Sequence, residues 1–221
     1  MGSLRQHKQG LMQQLFPRPG ETVPRLRFPE FADAPDWQTS TLGERCESFS
    51  GSTPDTSNSA YYGGTIPFVR SAEIGRDETE IFLTEEGLAN SAAKLVKRGD
   101  LLVALYGANS GDTALARVDG AINQAIMCLR SDDSAPYLCH YLTARKNWII
   151  ATYVQGGQGN LSGQIVLSVP LIVPHRAEQD KVAHCLSTLD TRIEEQAQRI
   201  DTLRRHGQGL MQQLFPSLEG R

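Results

Sequence analysis

The chain has 221 residues, is 39% hydrophobic, 21% charged and 7% aromatic, and carries 22 Lys+Arg against 25 Asp+Glu, a formal net charge of -3. That length suits one domain, or one domain with an appendage, and can bury a core without disulfide or metal staples. The charge balance excludes a protein that grips nucleic acid by bulk positive charge, though not one with a local reading groove. No apolar run approaches the ~18 residues of a membrane span, and the N-terminus lacks the apolar core of a signal peptide.

The chain opens on half of a repeat. Residues 4–17 read LRQHKQGLMQQLFP, and residues 203–216 read LRRHGQGLMQQLFP. The two differ only at Gln6/Arg205 and Lys8/Gly207, at an offset of 199 residues. Solenoid repeats recur every ~20–50 residues, so this spacing points instead to a module of about 200 residues that began as a tandem pair. The first copy reads as the tail of a preceding module.

Residues 18–174 differ in texture, with short apolar runs between stretches rich in Gly, Ser, Thr, Asn and Pro. Ile66–Val69, Leu101–Tyr106, Ala121–Cys128 and Ile165–Val173 read as strands. The spacing of Leu138, Tyr141, Leu142 and Ile149 predicts a helix over Tyr137–Tyr153. Turn chemistry marks Tyr62-Gly63-Gly64, Gly107–Gly111 and Gly156–Asn160. Many short strands joined by large polar loops imply an α+β domain whose loops carry the function.

From Ala177 to Phe215 there is no proline, and Glu, Gln, Arg, Leu and Ala dominate. This predicts one helix about 58 Å long, bounded by Pro174 and Pro216. Val182, Leu186, Leu189, Ile193, Ile200, Leu203, Leu210 and Leu214 fall on the a and d positions of one heptad frame, broken at Gln196 and Gly207. Such a narrow stripe suits pairing with another helix better than lying on a globular core. The plainer alternative is one amphipathic helix against its own domain. The expected units are therefore a helical stub at 4–17, a domain at 18–174 and a long coiled-coil helix at 175–216.

Signals for catalysis are missing. Gly157-Gln158-Gly159 is followed by IVLSVPLIVP, which reads as a strand, whereas a dinucleotide loop needs a helix there. There is no phosphate-binding loop of the GxxxxGK[ST] type and no GxSxG. The five histidines form neither HExxH nor a zinc spacing with Cys46, Cys128, Cys139 or Cys185. Asp132-Asp133 and Glu194-Glu195 read as solvated pairs. No cofactor or metal is expected. The widely spaced cysteines read as reduced thiols in a cytoplasmic protein.

The order of several segments resembles the DNA-specificity subunit of type I restriction–modification systems. These are Tyr61–Val69 (YYGGTIPFV), Gly99–Leu102 with Tyr106–Gly111, Ala121–Ala125, Asn160–Ser162, and Val169–Pro174 followed by Ala177-Glu178-Gln179 and a long helix ending GLMQQLFP. The resemblance spans nearly the whole chain. It implies a target recognition domain with a conserved helix, in a subunit that is not itself an enzyme. That subunit reads double-stranded DNA, recruits modification methyltransferase subunits, and meets the restriction subunit indirectly. The family pattern has two such domains. This chain has one, so the resemblance implies a half-subunit that forms a homodimer and reads an interrupted palindrome.

On that reading Asn109, Ser110, Gln155, Gln158 and Asn160, with Tyr61 and Tyr62 nearby, are candidates for base contact. Arg70, Lys94, Lys97 and Arg98 are candidates for phosphates. The eight a/d residues are the dimerisation candidates. Two other classes stay open: a coiled-coil assembly or decoy protein that binds the methyltransferase without DNA specificity, and an enzyme with an unrecognised site in its loops.

Overall fold

The first copy of the repeat folds as helix α1 (Gly2–Leu15), which stops ahead of Pro17, a residue that cannot continue a helix. The computed structural model describes residues 2–153 and 160–214. After an irregular stretch come β1 (Gln38–Thr41), α2 (Leu42–Arg45), β2 (Glu47–Ser50) and β3 (Tyr62–Val69), then β4 (Phe82–Leu83), α3 (Glu85–Ala89) and β5 (Lys94–Val96). β6 (Leu101–Ala104), β7 (Thr113–Leu115), β8 (Gly120–Ile122) and β9 (Ile126–Arg130) precede α4 (Ala135–Tyr153). The chain continues through α5 (Gly163–Ser168) and β10 (Pro170–Val173) into α6 (Arg176–Leu214). The expected α+β class is what the structure shows.

Two four-stranded sheets, ordered β2-β9-β6-β7 and β4-β3-β8-β5, lie against each other. The alternation of side chains along a strand explains the layering. Leu102, Ile126 and Cys128 pack with Val69, Val96 and Ile122 between the sheets. Their neighbours Leu101, Val103, Met127 and Leu129 face the other way, onto α4, α6 and α1. The central strands β6 and β9 are therefore buried on both faces, which is why they read as apolar runs, while the edge strands β2 and β7 do not.

Two expected strands are corrected. Ala121–Cys128 is cut in two, because the Asn123 side chain accepts a hydrogen bond from the Ala125 N–H at 3.1 Å and turns the chain from one sheet to the other. Ile165–Val173 begins as helix α5. Ser162 caps it by accepting from the Ile165 N–H, and the strand starts only at Pro170.

α6 matches the expected span but not the expected use of its stripe. Val182, Leu186 and Leu189 are buried in the chain's own core, Leu186 completely. That half follows the plainer alternative: its stripe is covered by the chain's own elements, α1 among them. The root of α6 is held by two buried polar residues. Glu178 pairs with Arg27 through two bonds of 2.8 Å. Gln179 accepts from the Ser134 N–H and donates to Asp133 and to the Pro174 carbonyl. Asp133 also takes both Nε and Nη2 of Arg45, at 2.8 and 2.7 Å. It is thus a buried hub, not one of a solvated pair.

Further along α6, Leu203 and Leu210 are 61% and 44% exposed, and Ile193 and Ile200 are half-buried. Leu214 closes the helix. Among the described residues, no helix is long and apolar enough to cross a membrane.

Candidate nucleic-acid interface

Strand register decides which loops meet. Asn123 follows β8, and its N–H donates to the Val69 carbonyl at the end of β3. Lys94 opens β5 opposite Ile122. Ala104 ends β6 opposite Ile126, and Ser50 ends β2 opposite Met127. The turns after β2, β3, β6 and β8 therefore share one edge. Gly51 fits so tightly there that a Cβ would lie 1.7 Å from the Ile122 carbonyl oxygen.

This edge is held by hydrogen bonds between loops. Thr53 Oγ1 donates to Gln124 Oε1 at 2.7 Å. The Gly107 N–H donates to Asn160 Oδ1 at 3.2 Å, and the Leu161 N–H to the Leu105 carbonyl at 2.8 Å. Gly107 and Gly111 bracket the Ala108–Ser110 turn that follows Tyr106, and both have positive φ, a conformation that favours glycine. Tyr106 is exposed at 41%, Gln124, Lys94 and Asn160 are exposed, and Asn109 is half-buried. The edge thus presents amide, hydroxyl and aromatic groups with little net charge. Such groups suit hydrogen bonding to base edges and stacking, more than phosphate neutralisation.

The expected site residues separate into groups. Asn109, Asn160, Lys94 and Arg70 lie on this edge. The Arg70 guanidinium is already engaged, with Glu73 at 3.0 Å and Glu80 at 2.5 Å. Burial pushes the Glu73 carboxyl up, but bonds from Arg70 and from the Glu80 and Arg70 N–H groups outweigh it and hold it at about 2. Arg70 therefore braces its loop and is not a free phosphate ligand.

Ser110 is 6% exposed and donates inward to the Leu105 carbonyl. Its hydroxyl is turned away from the surface of the edge. Lys97 and Arg98 sit at the opposite end of β5, beside Asp119–Gly120. There Arg98 lines a cleft with Arg117, Asp190 and Glu194. Tyr61 and Tyr62 are at the far end of β3, half-buried, and the Tyr62 hydroxyl donates to the Pro54 carbonyl at 2.7 Å. Gln155 and Gln158 lie outside the described residues.

Sequence reasoning left Tyr106, Thr53 and Gln124 out of the site. Gln124 and Tyr106 stood within the segments that carried the resemblance, and that was their only signal. Among the described residues, no cluster of three or more His, Cys, Asp or Glu side chains is placed to hold a metal.

Short strands, polar loops on one edge and a long projecting helix make an α+β domain with a helical extension. The chain belongs to the type I restriction modification DNA specificity domain family, which matches residues 35–205. It is 24% identical over 167 residues to the type I restriction enzyme EcoR124I/EcoR124II specificity subunit of Escherichia coli, covering 71% of this chain and 41% of that protein. It is also 24% identical over 194 residues to the MjaIX specificity subunit of Methanocaldococcus jannaschii, covering 83% and 45%.

Among solved structures, the HsdS subunit from Thermoanaerobacter tengcongensis superposes with a TM-score of 0.66 at 20% identity, over 98% of this chain and 51% of that one. A chain from a study of complex assembly and conformational transition in the type I R-M system reaches 0.70 at 21%, over 98% and 52%. At those identities the likeness shows the fold alone. The chain spans about half the length of these relatives.

Proposed function

We propose that this chain is a half-specificity subunit of a type I restriction–modification methyltransferase. In this reading residues 18–174 form a target recognition domain. The edge carrying Tyr106, Asn109, Gln124 and Asn160 reads one half of an interrupted DNA site. The subunit itself does no catalysis and works in the cytoplasm. Modification methyltransferase subunits bind it and methylate the adenine, which is flipped into their own pocket. The restriction subunit joins through them.

The observation that carries this reading is the family match over residues 35–205, set beside an edge of neutral hydrogen-bonding groups on a chain of net charge -3. Such an edge gives little affinity by charge alone, so backbone clamping falls to the partners. The second half-site comes from a second copy. Residues 175–216 form a spacer, and its outer half, exposed at Leu203, Leu210 and Met211, supports pairing with another helix. Antiparallel pairing sets two recognition domains apart by more than one DNA turn of about 34 Å.

The test is co-purification with the cognate methyltransferase subunit, then mapping of methylated adenines. Methylation at a palindrome split by a fixed spacer is expected. A stable complex that methylates nothing would instead favour an assembly or decoy role, and no complex would remove the reading.

A further inference from the structure

The repeat places nearly the same segment in two different environments. In the first copy, Met12 and Leu15 of α1 and Phe16 just beyond it are buried. Phe16 packs edge-on against Tyr137 and Tyr141, with ring centroids at 5.5 and 5.6 Å. Arg145 Nη2 donates to the Pro17 carbonyl at 2.8 Å. The same residues recur as Met211, Leu214, Phe215 and Pro216, and there Met211 is 58% exposed. The segment that fills this groove from the N-terminal side is thus repeated, nearly unchanged, at the far end of α6.

Direction is set by two contacts. Lys8 pairs with Asp190 at 2.5 Å. Leu15, further along α1, shares a core with Val182, Ala183 and Leu186, which come before Asp190. The two helices are therefore antiparallel.

We propose that the groove on α4 and the first half of α6, filled here by α1, is a docking site for the C-terminal repeat of a second copy. α1 and that repeat are interchangeable occupants. The proposal rests on the reading that two copies pair, and it fixes how they do so. With the repeat in the groove, Gly207 of one copy stands opposite Asp190 of the other, and the long helices cross near Gln198. With α1 in place, only the stretch beyond its reach, roughly 197–214, remains for pairing. The two registers differ by about seven residues per helix, which moves the domains apart by about 21 Å. Occupancy of the groove thereby sets the distance between half-sites.

The residues that differ between the copies bias the choice. Lys8 gives α1 its ion pair with Asp190, and Gly207 gives the C-terminal copy none. Lysine is also a better helix former than glycine. Both effects hold α1 at home.

Exchanging these residues tests the proposal. Lys8→Gly combined with Gly207→Lys in the full chain moves the ion pair from within a copy to between copies. A Cβ at Gly207 meets nothing within 4 Å, so the change fits. Sedimentation equilibrium is expected to show dimers about tenfold tighter than those of the unaltered chain. Small-angle scattering is expected to show domains about 21 Å closer than in a dimer that retains α1. Equal dissociation constants and equal separations would overturn the proposal.

A labelled peptide of residues 200–216 carrying Gly207→Lys tests the groove without any dimer. It is titrated onto the Lys8→Gly chain up to about millimolar, the scale on which a tethered segment competes. Saturable binding that Met211→Asp in the peptide abolishes supports the proposal, and absence of binding overturns it. Peptide binding with no dimer of any variant would retire the paired-copy reading while keeping the groove.

Discussion

Asn160 Oδ1 accepts the Gly107 N–H at 3.2 Å and ties two loops 53 residues apart in sequence onto one edge. The bond separates two roles for this side chain. Asn160→Ala removes the acceptor and leaves an exposed N–H that water satisfies, so the expected loss of stability is about 1 kcal/mol or less. Asn160→Asp keeps the acceptor and adds a negative charge. If the edge faces DNA, Asp holds the melting temperature yet cuts methylation at the cognate site, through repulsion by phosphates. Normal methylation by the Asp variant would turn this edge away from DNA.

The split between the two ends of β5 gives a second prediction. Tyr106→Ala and Asn109→Ala are expected to leave stability within about 0.5 kcal/mol, because both side chains reach solvent. Each is expected to weaken site-specific methylation by about five- to a hundredfold, the scale of one lost base contact. Lys97→Ala with Arg98→Ala, at the opposite end, is expected to change it by less than Tyr106→Ala does. Methylation kinetics on one duplex at fixed salt compare them, and a larger loss from the Lys97/Arg98 pair would move the interface to the other end.

Much of this was legible along the chain. The span of α6 and the helix at Tyr137–Tyr153 followed from spacing and from the absence of proline, because helical order is local. Ile165–Val173 misled because a short apolar run carries no decisive period, and the Ser162 cap decides for helix. The sites were less legible, since they depend on non-local pairing. Lys97 and Arg98 look like phosphate ligands by type, but the register of β5 on β8 puts them beside Asp119. Ser110 sits in a polar turn, yet the Leu105 carbonyl turns its hydroxyl inward. The heptad stripe marked apolar positions correctly but could not divide them into those that face the domain and those that project.

That division is testable on one helix. Leu186→Ala removes a fully buried side chain and is expected to cost about 2–5 kcal/mol. Leu210→Asp alters an exposed side chain on the projecting half and is expected to leave the melting temperature nearly unchanged while raising the dimer dissociation constant at least about tenfold. Calorimetry reads the first effect and sedimentation the second. A dimer insensitive to Leu210→Asp would place the contact elsewhere.

Acid should act on the fold in two stages. Burial, and then the neighbouring Lys8, push the His140 imidazole down to about 4. Asp190 lies 3.9 Å from its ring and pulls the other way, but is already paired with Lys8. His140 also shares a 3.0 Å hydrogen bond with Ser187. The unfolded chain takes up this proton near its ordinary value of 6.5, while the folded chain resists until about 4. More protons are then bound in the unfolded state, so stability falls as pH drops from about 6.5 to 4, by on the order of 1–2 kcal/mol at pH 5. Glu73, held at about 2 against an ordinary 4.5, adds a second loss below about 4.5. His140→Gln keeps a hydrogen-bonding side chain and removes the titration. Urea unfolding between pH 7 and 4.5 is expected to show a flatter profile for this variant than for the unaltered chain, while the fall below 4.5 remains. Parallel profiles across the upper range would mean that His140 is protonated in the fold.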